Sequence, residues 1–190
     1  TARLERARTR GREGRYDEAL DEVSRAIQSL SDRTERDGAM RLYYDLASKL
    51  VTGKLAPATA KLARKQIAML TIATPDGRVT SEAELLKRCL VAELASVEGV
   101  RTFTPEITET AVGGIFRRDR ETLDRLAREL DCDGFVYAVV GQMTTVYLID
   151  RAGAVLGAAN VPSLAVESLQ QELAAPAAGD LVLETAFLVK

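Results

Sequence analysis

The chain of 190 residues contains no histidine and no tryptophan, and aromatic residues make up only 5% of it. The absence of histidine excludes Ser-His-Asp and Cys-His catalysis, His-ligated zinc sites and the most common proton shuttle near neutral pH. The scarcity of aromatic rings leaves few surfaces on which nucleic-acid bases or sugars can stack. These absences argue against many common enzyme classes.

Cysteine is also scarce, with Cys89 and Cys132 as the two copies. Two thiols are too few for a disulfide scaffold or for a four-thiolate metal site. Free cysteine is among the most buried residue types, so we expect both to be small core side chains. A disulfide between them is the alternative.

The overall composition is that of an ordinary globular protein, with 46% apolar residues, 28% charged residues and a net charge of −2. No apolar run approaches the roughly 20 residues of a membrane span, and no signal peptide is visible. The chain begins at Thr1 inside a predicted helix and without an initiator methionine. We therefore expect it to be a fragment, with any targeting segment or membrane anchor of the native protein lying outside it.

A short pattern occurs twice in the first third of the chain. Gly14-x-Tyr16-x-x-Ala19-x-x-x-Val23 recurs 39 residues later as Gly53-x-Leu55-x-x-Ala58-x-x-x-Leu62. A repeat of this period is typical of stacked helical hairpins, which hold partners and rarely perform chemistry. Apolar spacing predicts helices over residues 2–13, over 16–30 and from about residue 34 or 37 to 51, with a short fourth helix after Gly53. We assign these antiparallel hairpins to an N-terminal domain, residues 1–65.

Residues 14–20 read Gly-Arg-Tyr-Asp-Glu-Ala-Leu and are followed by Ala26-Ile27. This segment resembles the centre of a tetratricopeptide repeat, a family in which the glycine closes the turn between two helices. The second copy departs from the family pattern at Leu55 and Lys65. The resemblance implies a protein-binding role. Because about three repeats are needed for a stable stack, the hairpins would need support from the second domain, from upstream repeats or from a partner.

The first predicted helix and the turn that follows it are basic: they contain six arginines and two glutamates, Glu5 and Glu13. One interpretation is a contact surface for an acidic partner, a phosphate or an anionic lipid. The other is a helix face with its charges in water. The arginines go around the helix and form no single stripe, which favours the second interpretation. They are Arg3, Arg6, Arg8, Arg10, Arg12 and Arg15.

From about residue 66 the pattern changes to alternating strands and helices. We predict strands at 66–72, 100–104, 135–140, 143–149, 154–161 and 181–189, and helices at 81–97, 119–131 and 163–174. Residues 106–118 fit neither type. The order is β-α-β-α-β-β-β-α with an added C-terminal strand. The predicted fold class is therefore α+β (α/β-like), with helical hairpins followed by a mixed-sheet domain at residues 66–190.

Four segments of this second half, at residues 67–72, 94–100, 126–136 and 145–153, carry a family resemblance. They are similar to the amino-terminal domain of TolB, the curli-secretion lipoprotein and the lipoprotein activators of penicillin-binding proteins. The sequence departs from the family pattern at Ala73-Thr74 and at Val140-Gly141-Gln142, so the resemblance does not identify the subfamily. The resemblance implies a noncatalytic module that assembles with other proteins in a bacterial periplasm, and it supplies no catalytic residues.

The remaining motifs give no candidate for chemistry. Gly113-Gly114 lacks the lysine and the preceding strand of a phosphate-binding loop. Asp131 and Asp133 flank Cys132, but three consecutive side chains cannot all converge on one metal ion. We therefore predict no catalytic, cofactor-binding or metal-binding residues, and no cofactor.

Four residues are candidates for partner binding. Tyr43 and Tyr44 are adjacent in one helix, so one ring points to the helical core and the other lies about 100° away. Tyrosine is enriched at interface hot spots. Arg117 and Arg118 belong to a charged segment that either forms an exposed recognition loop or only holds its charges in water.

These observations favour a noncatalytic interaction or scaffold module of a bacterial cell-envelope assembly. The expected partners are other proteins, with no nucleic acid, and a homo-oligomer in which the C-terminal strand completes another copy's sheet is kept open. The expected location is the periplasm or the cell envelope. The alternatives are a cytoplasmic adaptor or regulator of the same fold, and a small-ligand or nucleotide-binding domain.

Overall fold

A computed structural model describes residues 2–73, 81–112 and 119–164. In these ranges the chain forms an α+β fold with helices on both faces of a mixed sheet. The helices are α1 (Ala2–Arg12), α2 (Tyr16–Ser29), α3 (Arg33–Thr59), α4 (Ser81–Ala95), α5 (Pro105–Val112) and α6 (Arg120–Glu129). The strands are β1 (Gln66–Ala73), β2 (Arg101–Thr102), β3 (Gly134–Val140), β4 (Met143–Asp150) and β5 (Val155–Pro162).

The first hairpin, α1 and α2, forms where the sequence predicts it. Gly14 lies in the turn with a φ of 75°, a left-handed conformation that glycine adopts without strain. The apolar stripe of α2 is buried, as its helical spacing predicts. Its buried residues are Ala19, Leu20, Val23, Ala26 and Ile27.

The third helix differs from the prediction. Asp32 caps α3 by accepting a hydrogen bond from the Glu35 backbone nitrogen at 2.8 Å, and the helix then continues for 27 residues through Gly53 and Pro57. The predicted fourth helix is therefore wrong, and the second copy of the glycine pattern closes no turn. Leu55 and Ala58 continue the buried face of α3 beyond Gly53. This burial offsets the cost of about 1 kcal/mol for a helical glycine.

The structure thus has one helical hairpin, α1–α2, followed by a single long helix, and the two stacked repeats that the sequence pattern predicts do not form. Helix α2 packs against both α1 and α3.

The described sheet has the strand order β2-β1-β3-β4-β5. β1 is parallel to both β2 and β3, while β3, β4 and β5 are joined as antiparallel neighbours. The long strands agree with the prediction, but β2 has two residues where five were predicted, and residues 105–112 form α5. Pro105 begins this helix, a position that tolerates its missing N–H.

β1 contains a bulge. Met69 pairs with Val136 and Ile72 pairs with Ala138, so three steps along β1 oppose two steps along β3. The extra residue turns Ile72 to the same face as Ile67 and Met69, where all three join the larger core.

Two cores lie on opposite faces of the sheet. The larger one joins α1, α2, α3 and α4 to one face, and the smaller one joins α5 and α6 to the other. Cys132 is buried in the smaller core and Cys89 packs, half-buried, against the larger one; both are free thiols. The expectation of small core cysteines is met, and the alternative of a disulfide is not.

Helix α3 connects the helical layer to the sheet. Gly157 of β5 lies so close to α3 that a Cβ atom built on it would be 2.9 Å from Ala58 Cβ. The Tyr43 hydroxyl of α3 donates a hydrogen bond to the Pro162 carbonyl at the end of β5. Among the residues that the structure describes, no helix combines the length and the apolar character of a membrane span.

The helix predicted at 163–174, apart from its first two residues, and the strand predicted at 181–189 lie outside the described residues. Gly113-Gly114, Arg117 and Arg118 also lie outside them.

Candidate interaction groove

A groove with a volume of about 400 Å³ runs between α1, the first residue of α2 and α3. We call it the α1–α3 groove. Its lining residues are Arg8, Gly11, Arg12, Tyr16, Leu42, Asp45, Leu46 and Lys49.

Helical periodicity places these residues together. Arg8, Gly11 and Arg12 are three or four positions apart on α1, so they form one stripe of that helix. The lining residues of α3 follow the same spacing from Leu42 to Lys49, a distance of about 10 Å along the helix axis. The groove is therefore bounded by two facing helical stripes.

Gly11 sets how closely the two helices approach. A Cβ atom at this position would be 2.6 Å from Leu46 Cδ2, a distance that non-bonded carbon atoms do not tolerate. The missing side chain lets Leu46 of α3 pack directly against the backbone of α1 at Gly11.

The groove has an apolar floor and a charged rim. Leu46 is buried, while Leu42 and the Tyr16 ring are half-buried. Arg8 and Arg12 are exposed on the α1 side, and Lys49 lies half-buried on the α3 side. A buried apolar centre surrounded by polar side chains is the usual anatomy of a protein–protein contact.

The electrostatic balance of the lining is positive, with three cations and one carboxylate. Lys49 Nζ lies 2.8 Å from Asp45 Oδ2, and this hydrogen bond raises the pKa of Lys49. Arg8 forms an exposed ion pair with Glu5. Arg12 pairs with no carboxylate in the part of the chain that the structure describes. The α1 side of the rim therefore offers a guanidinium group to a bound anion.

Arg6 and Arg10 of α1, and Arg15 in the turn that follows, form ion pairs inside the first hairpin. Arg6 and Arg10 lie 3.2 Å and 3.3 Å from the carboxylate of Glu22, whose side chain is only 12% exposed. Arg15 lies 2.5 Å from Glu18. The hydrogen bond from Arg6 lowers the pKa of Glu22, and the one from Arg15 lowers the pKa of Glu18. The contacts of Arg6 and Arg10 with Glu22 hold α1 to α2 and divide α1 into a paired side and a groove side.

Tyr43 and Tyr44 lie elsewhere on α3, and both rings are buried, at 1% and 5% exposure. Their ring centroids are 5.4 Å apart with the planes at 86°, an edge-to-face contact. Burial raises the pKa of each hydroxyl above its ordinary value. The crevice they line, between α3, α4 and the ends of β3 to β5, has a volume of about 10 Å³, room for roughly one water molecule.

The two tyrosines are thus core residues, and the structure shows neither of them on an exposed surface. A role for them in partner binding stays a prediction. The groove residues Leu42, Asp45 and Lys49 were not singled out from the sequence as a site. In the sequence they appear as a leucine at the edge of the apolar stripe of α3, with charged residues three and seven positions later. Many amphipathic helices have this pattern, so it does not identify a binding site.

Asp131 and Asp133 bind residues in the connection between α3 and β1. The Asp133 carboxylate accepts hydrogen bonds from the backbone nitrogens of Arg64, at 2.6 Å, and Gln66, at 2.9 Å. Asp131 pairs with the Arg64 side chain at 2.5 Å. Both carboxylates therefore fix the connection from α3 to β1, and within the described ranges no group of three His, Cys, Asp or Glu side chains is placed to hold a metal ion.

Comparisons with known proteins give two similar structures. No protein-family model matches the chain, and no curated protein sequence matches it. The C-terminal domain of LpoB from Escherichia coli is 13% identical, covers 57% of this chain and 94% of its own length, and has a TM-score of 0.41. The corresponding domain from Salmonella enterica is also 13% identical, covers 58% and 95%, and has a TM-score of 0.36.

At TM-scores below 0.5 and 13% identity, these similarities carry no argument about function. Neither structure is named as a TolB domain or a tetratricopeptide protein, so the resemblances to those two families stay expectations.

Proposed function

We propose that this chain is a noncatalytic protein-interaction module of a bacterial cell-envelope assembly, and that a partner docks in the α1–α3 groove. The observation that carries the proposal is the groove itself, with its half-buried Leu42 and Tyr16 inside a rim of Arg8, Arg12 and Lys49. Apolar side chains that remain open between two helices gain free energy when a partner covers them.

The groove is large enough to hold side chains of a polypeptide segment. A volume of about 400 Å³ accommodates two or three large side chains. Its lining holds no pair of groups arranged as a nucleophile and a base. The envelope setting is supported separately, by the resemblance of the four segments in the second half of the chain.

The test is affinity capture from envelope and cytosolic extracts of the source organism, with identification by mass spectrometry. The baits are residues 1–190, the same chain with Leu42→Trp, which fills the groove without changing its charge, and a Lys54→Trp control on an exposed position of α3. We expect a set of envelope proteins that the first and third baits recover and the Leu42→Trp bait loses.

Equal recovery by all three baits would contradict docking in the groove. Recovery of cytosolic proteins alone, lost on Leu42→Trp, would replace the envelope module by a cytoplasmic adaptor of the same fold.

A further inference from the structure

We propose that the segment bound in the α1–α3 groove is an acidic amphipathic helix of a protein partner. This inference rests on the proposed function and specifies the chemistry of the partner at the same site. Three features of the groove carry it: the charge of the rim, the spacing of its cations and the shape of its floor.

The charge of the rim selects acidic side chains. Three cations and one carboxylate line the groove, and the carboxylate of Asp45 is already bound to Lys49 at 2.8 Å. Arg12 has no carboxylate partner among the described residues, and the pair between Arg8 and Glu5 is exposed, so it contributes little and can be exchanged. A partner carboxylate therefore meets an available guanidinium group, whereas a partner lysine or arginine meets like charge.

The spacing of the cations fits a helix. Arg8 and Arg12 are four residues apart on α1, which places them about one turn apart along the groove. Two carboxylates at i and i+4 of a helix lying beside α1 have the same separation.

The floor fits a row of apolar side chains from the same helix. The half-buried Leu42 and the half-buried Tyr16 ring present apolar surface in the groove, beside the buried Leu46. Leucine or phenylalanine side chains at i and i+3 or i+4 of the bound helix would pack against Leu42 and Tyr16. The bound segment therefore has an apolar stripe of about two turns, with acidic residues beside it on the edge that faces α1.

The test begins with a library of random 16-residue peptides displayed on phage and selected against the 190-residue chain. We expect the selected peptides to be acidic, with apolar residues at helical spacing. Synthetic copies are then measured by fluorescence anisotropy against the parent chain and against an Arg8→Glu/Arg12→Glu variant. The control is Arg25→Glu/Arg33→Glu, which has the same net charge but reverses exposed residues away from the groove.

We expect the groove variant to weaken binding by about tenfold or more and the control to change it by less than about threefold. Raising the salt concentration from 50 to 300 mM is expected to weaken binding to the parent chain and to have little effect on the groove variant. Circular dichroism checks that both variants fold, and Arg8→Gln/Arg12→Gln is expected to give an intermediate loss.

Selected peptides that are neutral or basic, or whose affinity is the same for all variants, would overturn the acidic helix. If such peptides still lose binding on Leu42→Trp, protein docking in the groove stands and only the partner's chemistry is wrong. If no selected peptide depends on Leu42, Arg8 or Arg12, both the acidic helix and the groove are wrong as the docking site.

Discussion

Tyr43, Tyr44 and Cys132 are ionisable residues that the fold holds in its interior. Burial raises the pKa of the Cys132 thiol from 9.0 to about 12 and moves the pKa of both tyrosine hydroxyls above the ordinary value of 10.0. All three are therefore neutral in the folded protein over a pH range in which the unfolded chain already loses these protons.

The consequence is a loss of stability at alkaline pH. Above about pH 9 the unfolded state binds fewer protons than the folded state, so the free energy of unfolding falls as the pH rises. Each tyrosine is expected to contribute up to about 1 kcal/mol between pH 10 and 11. Urea unfolding at pH 8 to 11 measures the fall, and Tyr44→Phe is expected to make it shallower. An equally steep fall in this variant would show that Tyr44 ionises in the folded protein.

Individual residues were predictable from the sequence where their effect is local. A helix was predicted to begin at residue 119, and the Asp119 carboxylate caps α6 by accepting a hydrogen bond from the Thr122 nitrogen at 2.8 Å. The burial of Cys132 followed from its residue type. The burial of Tyr44 did not, because α4 and the sheet cover it from distant parts of the chain.

Among the elements, α3 shows most clearly what a sequence pattern leaves open. Gly14 and Gly53 occupy the same position of a repeated pattern, yet Gly14 has a φ of 75° in a turn and Gly53 is inside a helix with no atom within 4 Å of a Cβ built on it. Glycine spacing marks where a turn is allowed, while the burial of Leu55 and Ala58 decides whether the helix continues.

The two glycines are therefore expected to respond in opposite directions to the same substitution. Gly53→Ala is expected to stabilise the protein by about 0.5–1 kcal/mol, because alanine is the better helix former and its methyl group meets open space. Gly14→Ala is expected to destabilise it by about 1–2 kcal/mol, because alanine is strained at a positive φ. Urea unfolding of both variants is the measurement. A loss of stability in Gly53→Ala would contradict the continuous helix and favour the turn that the repeat pattern predicts at Gly53.

The short length of β2 and the presence of helix α5 were not predicted, for a related reason. Residues 100–104 are apolar and β-branched enough for a strand, but pairing with β1 extends over only Arg101 and Thr102 before Pro105 begins a helix. Strand length depends on the partner strand, which a local pattern does not contain.

At the scale of the whole molecule, α3 belongs to both halves of the chain. Its middle borders the α1–α3 groove, and its C-terminal end rests on β5 at Gly157. The larger buried core accordingly includes residues from both sides of the boundary at residue 65. The division into units 1–65 and 66–190 stays a prediction, and no sequence pattern identified Gly157 as the contact point.

Gly157→Ala tests this contact. The added methyl group would lie 2.9 Å from Ala58 Cβ, which cannot rotate away, so α3 and the sheet must separate. We expect a loss of about 1–3 kcal/mol in the free energy of unfolding. Gly141→Ala is the matched control, because its nearest atom is at an ordinary 3.6 Å, and we expect a change within about 0.5 kcal/mol.

The same urea curves report whether the two halves unfold together. Coincident midpoints from far-ultraviolet and near-ultraviolet circular dichroism are expected if the α3–β5 contact couples the helices to the sheet. A separate early transition in Gly157→Ala alone would locate the coupling at this contact, and separate transitions in the parent chain would show two independent domains.

The bulge in β1 bears on how this protein can change length during evolution. A deletion inside a strand is usually lost from a lineage, because it turns every later side chain to the wrong face of the sheet. In β1 a deletion has the opposite effect. If one residue between Met69 and Ile72 is removed, these two side chains stay on the same face by simple alternation, and the pairing with β3 becomes regular. Homologues of this chain are therefore expected to show a one-residue gap within this strand, at a place where alignments rarely have one.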